Sequence, residues 1–184
     1  MCAFKLALAQ LESEVGDKQA NLETIARTAS EVDCEMLIFP ESYITGYAVR
    51  DEVFRLAETL EGPSCRKLAE IAEENDTCII AGMAEKSGQI RGQIHNSALV
   101  AYPNGSLYSY RKMHLPNFGP FEERLYYTEG NEIPVFQLGG VKFGLSICYD
   151  LFFPELAKSY ALRGIDIFIN ISASPTFSKK FFEA

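Results

Sequence analysis

Lys5-Leu-Ala-Leu-Ala-Gln-Leu11 is a short, mostly apolar run, and Glu35-Met-Leu-Ile-Phe39, closed by Pro40, is a second. Between them Leu22, Ile25, Ala26, Ala29 and Val32 recur at helical spacing over residues 18–32, with Gly16-Asp17 as the start signal. Strand, helix, strand across residues 5–39 is a βαβ unit, which favours parallel pairing and a right-handed crossover. The same alternation continues outward. Residues 51–60 read as a helix, Gly62-Pro63-Ser64 as a break, and residues 64–75 as a second amphipathic helix with Cys65, Leu68, Ile71 and Ala72 on one face. Residues 78–83 form the third strand, and Gly88–Gly92 a polar turn. Residues 96–102 and 106–112 are strands joined by Pro103-Asn104-Gly105, a hairpin signal. Residues 113–134, with Pro116, Gly119, Pro120, Gly130 and Pro134, read as a long irregular stretch of the kind that more often carries function than fills space. Strands at 135–138 and 141–147, a helix at 154–163 ended by Gly164, and an apolar strand at 165–171 complete the pattern. The expectation is an α/β protein with a mixed sheet. Residues 172–184 are read as leading toward a helix that does not develop.

Composition bounds what such a fold can do. With 184 residues the chain is long enough to bury a core without disulfide or metal staples. Hydrophobic residues at 47% and charged residues at 23% argue against disorder. The formal net charge of -8 makes phosphate backbones and anionic membrane surfaces poor partners. No apolar run approaches the ~20 residues of a membrane span. The first ten residues lack the basic start of a signal peptide, so a cytoplasmic location is expected. Five cysteines at wide spacings with no CxxC fit reduced thiols better than a zinc site or a disulfide framework. Two histidines, His95 and His114, all but exclude a His-rich metal centre.

Three strand ends carry chemistry-bearing side chains. Glu41 follows Leu37-Ile-Phe-Pro40, where α/β sheets place ligands, although on position alone a solvated turn carboxylate is the plainer reading. Lys112 ends residues 107–112; an ordinary surface lysine is the plainer reading, and Arg111 competes for any ionic role. Cys148 ends the apolar strand 141–147, where a sharp turn exposes a sulfur and the next backbone N–H can face an oxyanion. A buried inert cysteine is the competing reading there. A thiol of ordinary pKa ~8.5 needs a base or cation nearby to act as a nucleophile. Cys2, Cys34, Cys65 and Cys78 lack that setting, and His114 reads either as the base of a Cys–His pair or as a structural residue holding its loop.

Phe39-Pro-Glu-Ser-Tyr-Ile-Thr-Gly-Tyr47, Tyr110-Arg-Lys-Met-His-Leu115 and Cys148-Tyr-Asp-Leu-Phe-Phe-Pro-Glu155 resemble, in order and spacing, the three signature blocks of the nitrilase superfamily of carbon–nitrogen hydrolases. Leu6-Ala-Leu-Ala-Gln10, Asn96-Ser-Ala-Leu99 and Gly164-Ile-Asp166 support the resemblance, which covers essentially the whole chain. It implies an α-β-β-α sandwich and one carbon–nitrogen hydrolase domain over residues 1–184. It also implies roles: Cys148 as nucleophile, Glu41 as general base, and Lys112 with the backbone N–H of Tyr149 as oxyanion donors. A second glutamate, matched best by Glu123 with Glu122 one residue away, would orient the lysine and substrate. Lys112 in that setting is expected to stay protonated and to favour the thiolate. No metal or organic cofactor is implied.

Cys148-Tyr149-Asp150 is similar to the amidase-type branches, and residues 112–123 are also similar to the glutaminase domain of glutamine-dependent NAD synthetases. The substrate expected is a small carboxamide, ω-amide or carbamoyl compound. Relative to the family domain the chain reads as shortened at its C-terminus. This raises two alternatives, a glutaminase-like ammonia-supplying subunit and a catalytically silent binding or structural subunit. It also suggests a homo-oligomer, or completion by a further chain that covers strand 165–171.

Overall fold

The computed structural model describes residues 4–174. Strand β1 (Leu6–Leu8), helix α1 (Lys18–Glu31) and strand β2 (Met36–Ile38) form the βαβ unit, with β1 and β2 parallel and Leu6 opposite Met36. Asp17 caps α1 by accepting the Ala20 N–H at 3.0 Å, which satisfies one of the helix's orphan donors. A short helix α2 (Val53–Leu56) precedes α3 (Pro63–Glu74), which opens on the proline. Strand β3 (Cys78–Lys86) is parallel to β2, and β4 (Ile94–Ala101) and β5 (Leu107–Arg111) add on as an antiparallel hairpin. The order of this mixed sheet is β1-β2-β3-β4-β5. A short helix α4 (Glu123–Tyr126) follows. The second sheet holds β6 (Phe136–Leu138), β7 (Val141–Ile147) and β8 (Ile167–Ile171), with α5 (Pro154–Leu162) crossing between the parallel pair β7 and β8.

Period-two alternation explains the layering. Leu37, Ile79, Ala81 and Leu99 pack with Ile25, Leu68 and Ile71 of the helices α1 and α3. Their neighbours Met36, Ile38, Ile80 and Val100 pack with Phe143, Leu145 and Ile147 of the second sheet, and Leu156 and Tyr160 of α5 join that cluster. The result is an α-β-β-α sandwich. Both faces of β2, β3 and β4 are covered, which is why these strands read as nearly unbroken apolar runs. Each fully buried Leu, Ile or Phe contributes about 1.5–3 kcal/mol. Gly144 is needed where it stands: a Cβ there would lie 2.5 Å from the Tyr160 ring that packs on β7. No helix among the described residues is long and apolar enough to cross a membrane.

Three expectations change. The helix expected over 51–60 is a 3-10 turn (Arg50–Glu52) plus α2, and Ala57 is already extended. Strand β3 captures the chain there: Lys86 N–H donates to the Glu58 carbonyl at 2.7 Å, and Glu58 bridges Glu85. The loop 113–134 contains α4, whose register buries Glu123 and leaves Glu122 exposed. The last strand, expected over 165–171, is Ile167–Ile171; only Ile169 and Ile171 are buried, because among the described residues β8 is the outer strand of the second sheet, and Ile167, Phe168 and Asn170 are half-covered. Cys2 and the expectation for the segment beyond residue 174 lie outside the described residues.

Candidate active site

Glu41 begins the turn that follows β2 and Pro40. The turn is pinned to β3 by Gly82, whose N–H donates to the Pro40 carbonyl (3.1 Å) and whose carbonyl accepts from Ile44 N–H (2.9 Å). No other residue fits there, since a Cβ on Gly82 would come within 2.0 Å of the Ser42 nitrogen. Lys112 follows β5 directly; its N–H donates to the Asn96 carbonyl and its carbonyl accepts from Gly130 N–H, both at 2.8 Å. Cys148 follows β7 with φ +47, a left-handed conformation rarely adopted by residues with a Cβ.

The side chains meet between the two sheets. Lys112 Nζ donates to Glu41 Oε1 and Glu123 Oε1, both at 2.8 Å, and Lys112 is fully buried. Asn96 Nδ2 donates to Glu41 Oε1 at 2.8 Å, and the backbone N–H of Ala173 donates to Glu41 Oε2 at 2.8 Å. Tyr47 OH donates to Glu123 Oε1 at 2.8 Å. Cys148 Sγ lies 3.3 Å from Ser174 Oγ, in a segment that folds back over the site after β8. Period two separates Lys112 from its neighbour. Arg111 faces the other side of the sheet, where its Nε and Nη2 both reach Glu85 Oε1 (3.0 and 2.5 Å) and Ser97 Oγ donates to Glu85 Oε2 at 2.7 Å.

Electrostatics follow from that geometry. Burial alone would lower the Lys112 amine, but Glu41 and Glu123 outweigh it and hold the ammonium above the ordinary lysine value. Burial, then the neighbouring Glu41, push the Glu123 carboxyl up, while Lys112 and Tyr47 pull it back. Burial and Glu41 also push the Cys148 thiol up to about 11, against the opposing pull of Lys112. Lys112 does favour the thiolate, as expected, but burial and Glu41 together outweigh its pull at the sulfur. Near neutral pH this leaves Cys148 as a neutral thiol.

Of the residues expected at this site, Glu41, Lys112 and Glu123 share one hydrogen-bonded chain, with Cys148 in its field. Tyr149 sits in the turn after Cys148, its ring 5.2 Å from Phe153 and 5.3 Å from Phe118. Glu122 is exposed and has no place in the chain. His114 is not directed at the sulfur; its ring bonds Asp150 at 2.8 Å and stacks on Phe153 at 3.6 Å. Sequence reasoning missed Asn96, Tyr47 and the 172–174 segment as site residues. That segment carried the available signal, since it follows an apolar strand end just as Cys148 does. Tyr47 and Asn96 stand inside segments that carry the resemblance, but their place in the site was not legible, because their polar groups meet Glu123 and Glu41 only through tertiary contacts.

The sequence model of the carbon-nitrogen hydrolase family matches residues 5–181. A nitrilase from Pyrococcus abyssi is 35% identical over 170 residues, covering 89% of this chain and 62% of its own length. A glutamine-dependent NAD(+) synthetase from Thermotoga maritima is 32% identical over 181 residues, covering 95% of this chain and 31% of the synthetase. The solved structure of a Glu-to-Gln mutant of the amidase from Nesterenkonia sp. AN1, with acrylamide joined by Michael addition to its active-site cysteine, superimposes with a TM-score of 0.82 at 26% identity, over 96% of this chain and 70% of the amidase. The chain thus spans less than two thirds of the curated nitrilase it matches. With the family model matched over nearly all of its residues and the sandwich in common with that amidase, this chain belongs to the nitrilase superfamily of carbon–nitrogen hydrolases.

Proposed function

We propose that the chain is a thiol-dependent amidohydrolase acting on a small carboxamide, ω-amide or carbamoyl compound. The observation that carries this reading is the fully buried Glu41–Lys112–Glu123 chain beside a buried thiol held in a left-handed turn. Glu41 takes the Cys148 proton as the sulfur attacks the amide carbon. The resulting oxyanion is stabilised by Lys112 Nζ and the backbone N–H of Tyr149. The C–N bond then breaks, and the proton held on Glu41 leaves with ammonia or an amine. A water molecule attacks the thioester, gives a proton to Glu41, and the acid departs as the proton returns to sulfur. Glu123, anchored by Tyr47, keeps the ammonium aimed at Glu41.

The likeness to the Thermotoga synthetase favours a second reading, an ammonia-supplying glutaminase unit working with a further domain. The half-covered outer strand β8 supports assembly with a second copy or a further chain, which light scattering tests.

The test is ammonia release over a panel of small amides, glutamine included, by the chain and by its Cys148→Ala variant, with acid-quenched intact mass. Release that needs Cys148, and an acyl adduct on its peptide, are expected. Equal release by Cys148→Ala overturns the reading.

A further inference from the structure

Asp150 is fully buried and lies two residues beyond Cys148, yet the proposed chemistry does not use it. Its carboxylate makes four hydrogen bonds to three residues on two segments. Tyr110 OH donates to Oδ2 at 2.7 Å and Ile147 N–H to the same oxygen at 3.1 Å. His114 donates its backbone N–H to Oδ1 at 2.9 Å, and its ring Nδ1 lies 2.8 Å from that oxygen. Tyr110 and His114 stand two residues before and two residues after Lys112, and Ile147 immediately precedes Cys148.

We infer that Asp150 is a positioning residue that clamps the Lys112 segment to the Cys148 turn and so sets the relation between ammonium and sulfur. The inference rests on the amidohydrolase reading for the roles of Lys112 and Cys148. Three features carry it. First, β5 and β7 belong to different sheets, so no ladder hydrogen bond fixes one strand end against the other. Asp150 supplies side-chain bonds across that gap. Second, the bond from Ile147 N–H closes the turn in which Cys148 holds φ +47. Such a conformation is strained for a residue with a Cβ and persists only where its surroundings over-determine it. Third, only a carboxylate suits the site. The Ile147 and His114 backbone N–H groups are obligate donors, one to each carboxylate oxygen, so an amide side chain would turn its NH2 group toward one of them. Tyr110 OH can rotate to accept; the Ile147 and His114 backbone N–H groups cannot.

The experiment compares the chain with Asp150→Asn and Tyr110→Phe. It uses kcat and KM for ammonia release and the pH midpoint of Cys148 alkylation by acrylamide, mapped by peptide mass. The charged groups that set that midpoint are Glu41 and Lys112, with Glu123 acting through Lys112. Buried Cys65 and Cys78 report whether each variant keeps its packing. In Asp150→Asn a kcat about 100-fold lower is expected, with KM changed less than about threefold, because misplacement of reacting groups acts on the transition state. The Cys148 midpoint should move to higher pH, since the ammonium that holds it down is no longer fixed, while Cys65 and Cys78 stay unmodified. Tyr110→Phe removes one donor and should move both readouts the same way by less. Unchanged kcat and midpoint with Cys65 and Cys78 protected would overturn the inference. If Asp150→Asn exposes Cys65 and Cys78, the same readouts on Tyr110→Phe decide it. If neither the chain nor Cys148→Ala releases ammonia, the amidohydrolase reading fails, and the alkylation midpoint alone decides the clamp.

Discussion

Lys112 Nζ lies 2.8 Å from Glu41 Oε1, and neither side chain reaches solvent. An ion pair so placed is strongly coupled to stability. Removing one partner leaves the other charge buried without compensation, which costs more than the intact pair contributes. Glu123 adds a second carboxylate to the same ammonium, so Lys112 is the member with most to lose.

Lys112→Met keeps most of the side-chain volume and removes the charge. Glu41 and Glu123 are then two buried carboxyls with no cation between them. Destabilisation of about 3–5 kcal/mol is expected from urea unfolding monitored by circular dichroism. Hydrolysis should fall by about 100-fold or more through loss of an oxyanion donor. A variant as stable as the parent would show that the ammonium does not hold these carboxylates together.

Glu41→Gln should drive two reactions in opposite directions. Glu41 raises the Cys148 thiol, so its neutral replacement increases the thiolate fraction near pH 8, and alkylation by iodoacetamide accelerates. Hydrolysis, which needs the base, falls by about 100-fold or more. Parallel loss of both would mean that the substitution disturbs the site instead of removing a proton acceptor.

Gly82→Ala tests the support beneath Glu41. The new methyl would meet the Ser42 nitrogen at 2.0 Å and the Glu41 carbonyl carbon at 2.6 Å, contacts that only backbone movement relieves. A stability loss of about 1–3 kcal/mol is expected, together with loss of hydrolysis. Calorimetry showing an unchanged melting temperature would contradict the close approach.

Stability should fall in alkali. Burial holds the thiols of Cys148 at about 11 and of Cys65 and Cys78 at about 12, each above the ordinary 9.0. Between those values the unfolded chain has released protons that the folded chain keeps, so folding is disfavoured as pH rises. The contribution is complete below about pH 9 and is lost as pH climbs toward 11–12. Urea midpoints measured from pH 8 upward should decline past pH 9, and Cys78→Ala should decline less steeply. A flat profile across that range would show that these thiols titrate alike in both states.

The linear pattern determined a good deal. The apolar runs around residues 5–11, 35–39 and 78–83 and the intervening helical period dictate a βαβ-based sheet, because local hydrophobic periodicity is written residue by residue. Glu41, Lys112 and Cys148 stood out for the same reason, each directly following a strand or an apolar run. The choice of Glu123 over Glu122 is different in kind. It depends on the register of a one-turn helix, which places neighbouring side chains on different faces. The charge state of Cys148 also required three dimensions. Sequence identifies one cation and two carboxylates, but their balance at the sulfur depends on burial and on Lys112 already being shared between Glu41 and Glu123. Asn96, Tyr47 and Asp150 lie in segments that carry the resemblance, yet their contacts were not legible there, because they join segments far apart in the chain. Such bonds exist only once two sheets have packed face to face and left no water to take their place.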